Sequence, residues 1–478
     1  MSLALACNTS GGGKGSGQRR VVPDEPWRQA RPPSGPVPEL KVPAVQRAGL
    51  KNGLTVLVVE DHSLPLVTAR VVVRAGAAQE VAKDAGLAAL TWDLLDEGAG
   101  SMNQLALANA VAQLGAELTT SCELEGGAAQ IELARDHAEA GLKLLGTVVT
   151  KPTFTAADFE RVRDQALVRV QERNTDARAV ADTLVNALVY GSEHAYGHDA
   201  AGSADTIGKL TAQKVKSFWT THAAPRNAAL IIAGDVTLEQ AKALAQKAFG
   251  AWSGSGRAPK APTEPALRSA LTIATVDFPG ASQAALRVAR AGLAASDADL
   301  PALIVLNAVL GGTRSSRLNV KLREEKQWTD AARSEQLALL GRGPWLLSTE
   351  VQTDAAANAV AETIAIIESL KSGISDDELG RAKEGWVRAL PGLLGTPADQ
   401  ARALGTAFAQ GFDADMALKM AEAVLVVTSD DVKRVAERVL VKDDLVVVLA
   451  GDRAVLSAKL KEQGLPDALL FGKDGFPE

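Results

Sequence analysis

Apolar positions along this chain fall into two kinds of run, one of period two and one at helical spacing, and the two kinds alternate in the same order twice. Residues 55–60 and 67–73 read as strands. The first follows Leu50-Lys51-Asn52-Gly53-Leu54, where Asn-Gly supplies the positive-φ pair of a tight turn. Leu87, Leu90, Leu94 and Leu95 recur at helical spacing and predict a helix over 86–96. Helices are further predicted over 103–114, 138–149, 156–173, 178–189, 212–222 and 238–249, and strands over 117–123, 128–134 and 228–235. The second half repeats the plan. Strands are predicted over 271–276, 283–290, 330–337 and 345–352, with helices over 300–310, 317–325, 355–371 and 376–392 and others up to 439. A last strand over 444–452 ends in Ala450-Gly451-Asp452, matching Ala233-Gly234-Asp235 in the first half.

A repeated element order with a shared ending predicts a duplicated α+β fold: two homologous domains, each a mostly antiparallel sheet covered by helices. Expected boundaries are a tail or tether over 1–42, a first domain over 43–252, a Gly/Ser/Pro linker over 253–266, a second domain over 267–460 and a C-terminal tail over 461–478.

Composition narrows the picture. Of 478 residues, 46% are hydrophobic and 23% charged, which excludes wholesale disorder. Aromatics are only 4%, so the core must be built from Ala, Leu and Val. A net charge of −6, with no clustered Lys/Arg patch, excludes a dedicated nucleic-acid binder. No apolar run reaches the roughly 18 residues of a bilayer-spanning helix. Two cysteines, Cys7 and Cys122, are too few for a disulfide scaffold. Cys122 reads as a small half-buried strand residue. Cys7 follows Leu3-Ala4-Leu5-Ala6 and precedes a Gly/Ser-rich stretch, so it is a lipidation candidate of the bacterial lipoprotein kind. That places the chain on the periplasmic side of a bacterial envelope, with a possible membrane tether.

Several local patterns stand in a telling order: Arg74-Ala75-Gly76-Ala77, Gly86-Leu87-Ala88, Leu114-Gly115-Ala116, Pro152-Thr153-Phe154, His194-Ala195-Tyr196-Gly197, Pro225-Arg226-Asn227-Ala228, Leu310-Gly311-Gly312 and Leu322-Arg323-Glu324-Glu325. In these the chain resembles the pitrilysin/insulinase-type zinc metallopeptidases, which include the mitochondrial processing peptidases, from about Leu50 to Asp452. The resemblance implies a processing-peptidase-like metallohydrolase fold. The family's chemistry lies in an inverted zinc motif, H-x-x-E-H, on the helix after Gly-Leu-Ala, completed by a Glu from a later helix. Here the first His position is Ala89, the Glu position Trp92, the second His position Asp93, and the later Glu falls near Arg169. Ala89 has no donor atom, Trp92 has only an N–H donor, and one carboxylate does not hold zinc. The expectation is therefore a pseudoenzyme with no catalytic or metal residues, and Asp93 and Arg169 forming an ion pair with Trp92 filling the space left by the metal.

Other expectations follow from the same likeness. The strand over 117–123 would receive peptide by β-augmentation, with Thr119, Thr120 and Ser121 as contact residues. Of the family's Arg and Tyr that touch substrate seven residues apart, the Arg aligns with Arg323 and the Tyr position is Asp330. His194 and His198 are four apart but flank Tyr196-Gly197, and read as structural loop residues. His62, His137 and His222 read as surface residues. The leading function is a non-catalytic subunit that forms a peptide-binding chamber with a zinc-bearing partner, or as a dimer with itself, and supports proteolysis, with zinc only in the partner. Two alternatives stand beside it: an envelope-tethered assembly scaffold without peptide cargo, and an active metalloendopeptidase with an unrecognised metal site.

Overall fold

A computed structural model describes residues 35, 43–256 and 258–478. Fourteen strands are defined among them: β1 (Val45–Gly49), β2 (Thr55–Glu60), β3 (Leu66–Val73), β4 (Gly98–Ala99), β5 (Met102–Asn103), β6 (Glu117–Cys122), β7 (Gly127–Ala134), β8 (Ala228–Gly234), β9 (Thr272–Asp277), β10 (Gln283–Ala294), β11 (Ala332–Gln336), β12 (Arg342–Gln352), β13 (Val446–Gly451) and β14 (Leu469–Phe471). Two six-stranded sheets result, ordered β1-β2-β8-β3-β7-β6 and β14-β9-β13-β10-β12-β11, and β4 and β5 form a small ribbon. In each sheet the strand ending in Ala-Gly-Asp lies parallel to the first long strand of its half, β8 to β2 and β13 to β9. Each also lies antiparallel to the next, β8 to β3 and β13 to β10. The duplicated α+β architecture is thus present. The edges differ, since β1 is antiparallel to β2 and β14 is parallel to β9. The segment 461–478, expected as a tail, is corrected here: it carries β14, which completes the second sheet. Three apolar residues between Ala468 and Gly472 give too little periodicity to announce a strand.

The central strands β8 and β13 are buried along their whole length. A strand that alternates its side chains must then have both faces covered, which is why these segments read as continuous apolar runs. On β8, Leu230 and Ile232 enter a core with the helices of their own half, while Ala229, Ile231 and Ala233 face Ala401 and Leu404 of the helix Pro397–Ala409 from the second half. On β13, Val447 and Leu449 enter the second half's core, while Val446, Val448 and Ala450 meet Val180, Ala181, Leu184 and Val185 of the helix Ala177–Tyr190 from the first half. The halves therefore exchange helices, each closing the other's sheet. Small residues permit the close approach. A Cβ at Gly405 would sit 2.8 Å from Val72 Cγ2, so the Pro397–Ala409 helix lies on β3 with nothing between.

Within the second half, Arg317 and Glu378 fasten the helix Asp376–Leu393. Arg317 donates to both carboxylate oxygens of Glu378 (2.7 and 3.0 Å), and Glu378 reaches back to the backbone N–H of the N-cap Ser375 at 2.9 Å. The Arg317 bonds, then the cap, hold the Glu378 carboxyl down at about 2 against an ordinary 4.5.

Two predictions follow from this packing. Residues 43–252 or 267–478 expressed alone should expose an uncovered sheet face and aggregate, and co-expression should recover a soluble complex. The Ala177–Tyr190 helix buries Val180, Leu184, Val185 and Val189, worth about 1.5–3 kcal/mol apiece, and the Pro397–Ala409 helix buries Leu404 beside Ala401, Gly405 and Ala409. A folded, monomeric isolated half by size-exclusion chromatography and circular dichroism would contradict the exchange. Because the Glu378 pKa is depressed in the fold, its contribution is present above pH 4.5 and lost as pH falls towards about 2. Glu378→Gln should remove about 1–2 kcal/mol at neutral pH, less than the full shift because part of the carboxylate stays in water, and flatten the acid limb of denaturation profiles.

Candidate functional site

The helix Leu87–Asp93 starts at Gly86, whose φ of +93° is left-handed and suits glycine. Two N–H groups at this start are satisfied from outside the helix. Glu80, with no exposed side-chain surface, accepts from Gly86 N (3.0 Å) and Ala88 N (2.7 Å). His198 Nε2 lies 3.4 Å from the same carboxylate. Burial pushes the Glu80 carboxyl up, opposed by His198 and the two backbone N–H groups. Burial is the largest single influence on His198 and works against its charge, but Glu80, together with the His194 and Ala77 backbone, outweighs it and the imidazole is raised. Glu80 was not singled out from sequence. A carboxylate six residues before a glycine-started helix is a cap signal only once the turn between them is known.

The second wall is the helix Ala156–Arg173, capped by Thr155 and buried through Phe159, Val162, Ala166 and Val170. Between the two helices lies a cleft of about 160 Å³ whose lining includes Ala89, Asp93, Ala166 and Arg169. Three of the four degenerate motif positions, Ala89, Asp93 and Arg169, thus converge. Arg169 Nη2 donates to Asp93 Oδ2 in the expected ion pair. The pair is not buried: Arg169 keeps 55% and Asp93 41% of side-chain exposure. Desolvation still pushes the Asp93 carboxyl up, opposed by Arg169. Asp96 nearby is pushed up to about 6 by burial and then by Glu97. Glu97 is itself bonded by Arg161, a second link between the two elements.

Trp92 corrects the expectation that it fills the space of the metal. It is absent from the cleft and wholly buried on the other side of its helix. Its Nε1 donates to the Ala75 carbonyl at 2.8 Å, and its ring meets Trp219 edge-on at 5.1 Å. A Cβ at Gly127 would overlap the indole. Position 92 lies about 60° around the helix from 89 and about 100° from 93, so about 80° from the middle of the face they share, which is enough to turn a large apolar side chain inward.

The residues at hand do not suit a divalent cation. Ala89 offers nothing, Trp92 points away, and Asp93 is already held by a guanidinium. Among the described residues no group of three or more His, Cys, Asp and Glu is placed to hold a metal. His194 and His198 do not form a metal pair either. His194 Nδ1 accepts from Tyr196 N (3.0 Å) and its Nε2 meets the Thr263 carbonyl (2.9 Å), whereas His198 faces Glu80. His62 and His137 are exposed. His222 is not a surface residue but half-buried, packed on Phe218 at 4.7 Å.

Strand β6 is the last of its sheet and pairs with β7 alone among the described residues. Thr119 and Ser121 are exposed, while Thr120 alternates to the half-buried side. Cys122 is half-buried beside them, its thiol pushed well up by burial. Arg323 and Asp330 line one open pocket with Trp328, and Arg323 lies 3.2 Å from Glu324. Cys7 falls outside the described residues.

Comparison with known proteins finds two family models along the chain. "Insulinase (Peptidase family M16)" matches residues 55–198, and "Peptidase M16 inactive domain" matches 209–385, together about two thirds of the chain. The chain belongs to the pitrilysin/insulinase family of peptidases. Within this M16 family it is 26% identical to an uncharacterised zinc protease of Mycobacterium bovis over 74% of this chain and 80% of the relative. It is 27% identical to bovine cytochrome b-c1 complex subunit 1 over 56% of each chain, and 26% identical to the β subunit of bovine mitochondrial processing peptidase over 44% and 43%. A solved M16 inactive domain from Pseudomonas fluorescens superposes with a TM-score of 0.79 at 27% identity, over 85% of this chain and 98% of that one.

Because the Asp93–Arg169 pair is half exposed, a double-mutant cycle with Asp93→Asn and Arg169→Gln should give a coupling of no more than about 1 kcal/mol in urea denaturation. A coupling of about 3 kcal/mol or more would mean a desolvated pair and a closed cleft.

Proposed function

We propose that this chain is a non-catalytic M16 subunit that forms a peptide-binding chamber with a homologous zinc-bearing chain, or with a second copy of itself, and supports proteolysis carried out by the partner. One observation carries the reading: the helix face on which the family places its zinc ligands presents Ala89 and an Asp93 already paired with Arg169. The fold around that face is intact, from the Glu80 cap to the flanking helix, so shape is retained where metal chemistry is not. Strand β6 has an outer edge with no strand on it among the described residues, which suits sequence-tolerant main-chain pairing with an extended peptide. Thr119, Thr120 and Ser121 would supply that edge, and Arg323 would contact peptide from the second half. Zinc belongs to the partner. The reading places the subunit on the periplasmic side of a bacterial envelope, tethered through lipid on Cys7.

The similarity to bovine cytochrome b-c1 complex subunit 1 favours a second reading, a scaffold that holds other chains and takes no peptide.

Peptide cleavage separates the two. The chain should cleave no peptide alone. Mixed with an M16 chain from the same organism that carries an intact H-x-x-E-H motif, it should raise that chain's kcat/KM at least about tenfold, the scale of completing a binding chamber. A stable complex with unchanged kcat/KM supports the scaffold. Chelator-sensitive cleavage by this chain alone overturns both and restores the active-peptidase alternative.

A further inference from the structure

The duplication allows one half to serve as a control for the other. Arg70 on β3 and Arg287 on β10 occupy equivalent places. Arg70 is opposite Ile231 of β8, and Arg287 is opposite Val448 of β13, each three residues before the glycine of Ala-Gly-Asp. Each also lies under the helix donated by the other half. In the second sheet, Arg287 is 4% exposed and bonded to two carboxylates: Asp182 of the Ala177–Tyr190 helix, and Glu350 at 3.1 Å. Asp182 is the sixth residue after its helix's N-cap, Asp176.

In the first sheet the sixth residue after the N-cap Thr396 is Arg402. It stands one turn before Gly405, against which the Arg70 guanidinium packs; a Cβ there would lie 3.2 Å from Arg70 Nε. A cation therefore replaces the carboxylate. The counterpart of Glu350 is Glu132, and it does not reach Arg70 either. Gln130 intervenes, accepting from Arg70 Nη1 at 3.0 Å and donating to Glu132 at 2.7 Å. Arg70 makes no ion pair among the described residues, and its buried Nε has no partner. Arg74, further along the same strand, is likewise held by the Phe408 carbonyl (2.9 and 2.7 Å) and not by a carboxylate. Arg402 leans on Asp399 of its own helix at 3.5 Å and keeps 60% of its side chain exposed. Burial pushes the Arg70 guanidinium down; Glu123 opposes this and Arg402 adds to it.

We propose that Arg402, backed by Arg70, is a binding site for a carboxylate of an acidic peptide, the bound ligand supplying the anion that Asp182 supplies within the second half. The internal counterpart is a carboxylate, and a planar guanidinium fork matches that group two oxygens at a time. This rests on the reading of the chain as a peptide-binding subunit and gives that reading a ligand class: segments rich in Asp and Glu.

The test uses the full chain and two fluorescent decapeptides, one with four glutamates and its glutamine analogue, read by anisotropy. Wild type should bind the glutamate peptide at least about fivefold more tightly than the analogue, and this preference should shrink with salt. Arg402→Asp should recreate the second half's arrangement, raising Tm by a few degrees, and abolish the preference; Arg402→Gln should abolish it without raising Tm. Equal binding of both peptides by wild type, or an unchanged preference in Arg402→Asp, overturns the proposal. In that case continued binding of the neutral peptide leaves the peptide-binding reading standing, and failure to bind either peptide removes both.

Discussion

Two strands with no exposed face decide the architecture. Once β8 and β13 are apolar on both sides, each must be sandwiched, and the helices of a single half cover only one side. The missing cover comes from the opposite half in both cases. The reciprocity follows from the duplication: two equivalent units with the same exposed face satisfy each other by the same exchange. The outer faces are accordingly rich in alanine, as at Ala229, Ala233, Ala274, Ala285 and Ala289, because a helix lying directly on a sheet needs small residues beneath it.

The same constraint accounts for the oddest charge in the molecule. A guanidinium beneath a crossing helix must find a partner there or remain poorly satisfied. Arg287 finds two carboxylates; Arg70 finds a glutamine in its own sheet and, on the covering helix, another arginine. The halves share a backbone plan and differ in electrostatics at equivalent points.

Much of this was legible in the sequence. The helices 156–173, 212–222 and 238–249 have the predicted ends because Thr155, Thr211 and Thr237 are capping residues directly before periodic runs. The Asp93–Arg169 pair was legible because motif positions that converge on a metal still converge without it. Other features were not. Periodicity shows that a helix has an apolar face but not which sheet that face meets, so the exchange of helices could not be read. The direction of Trp92 depends on a helical phase of about 80° combined with the space above Gly127, a tertiary fact. The role of Glu80 depends on a turn that brings it back onto the helix start, and β14 is too short to carry a pattern.

What holds the Leu87–Asp93 helix in place can be ranked by magnitude. A half-exposed ion pair such as Asp93–Arg169 contributes on the order of 0–1 kcal/mol. Truncating a fully buried Trp costs about 3–5 kcal/mol, and Trp92 is also bonded to Ala75 and packed on Trp219. Removing the Glu80 carboxylate would leave two buried N–H groups unpaired, at about 1–3 kcal/mol each. The helix is therefore anchored by its buried side and its cap, neither of which involves the cleft-facing positions 89, 93 and 169. Such a division leaves the cleft-facing positions free to change without loss of the helix's placement.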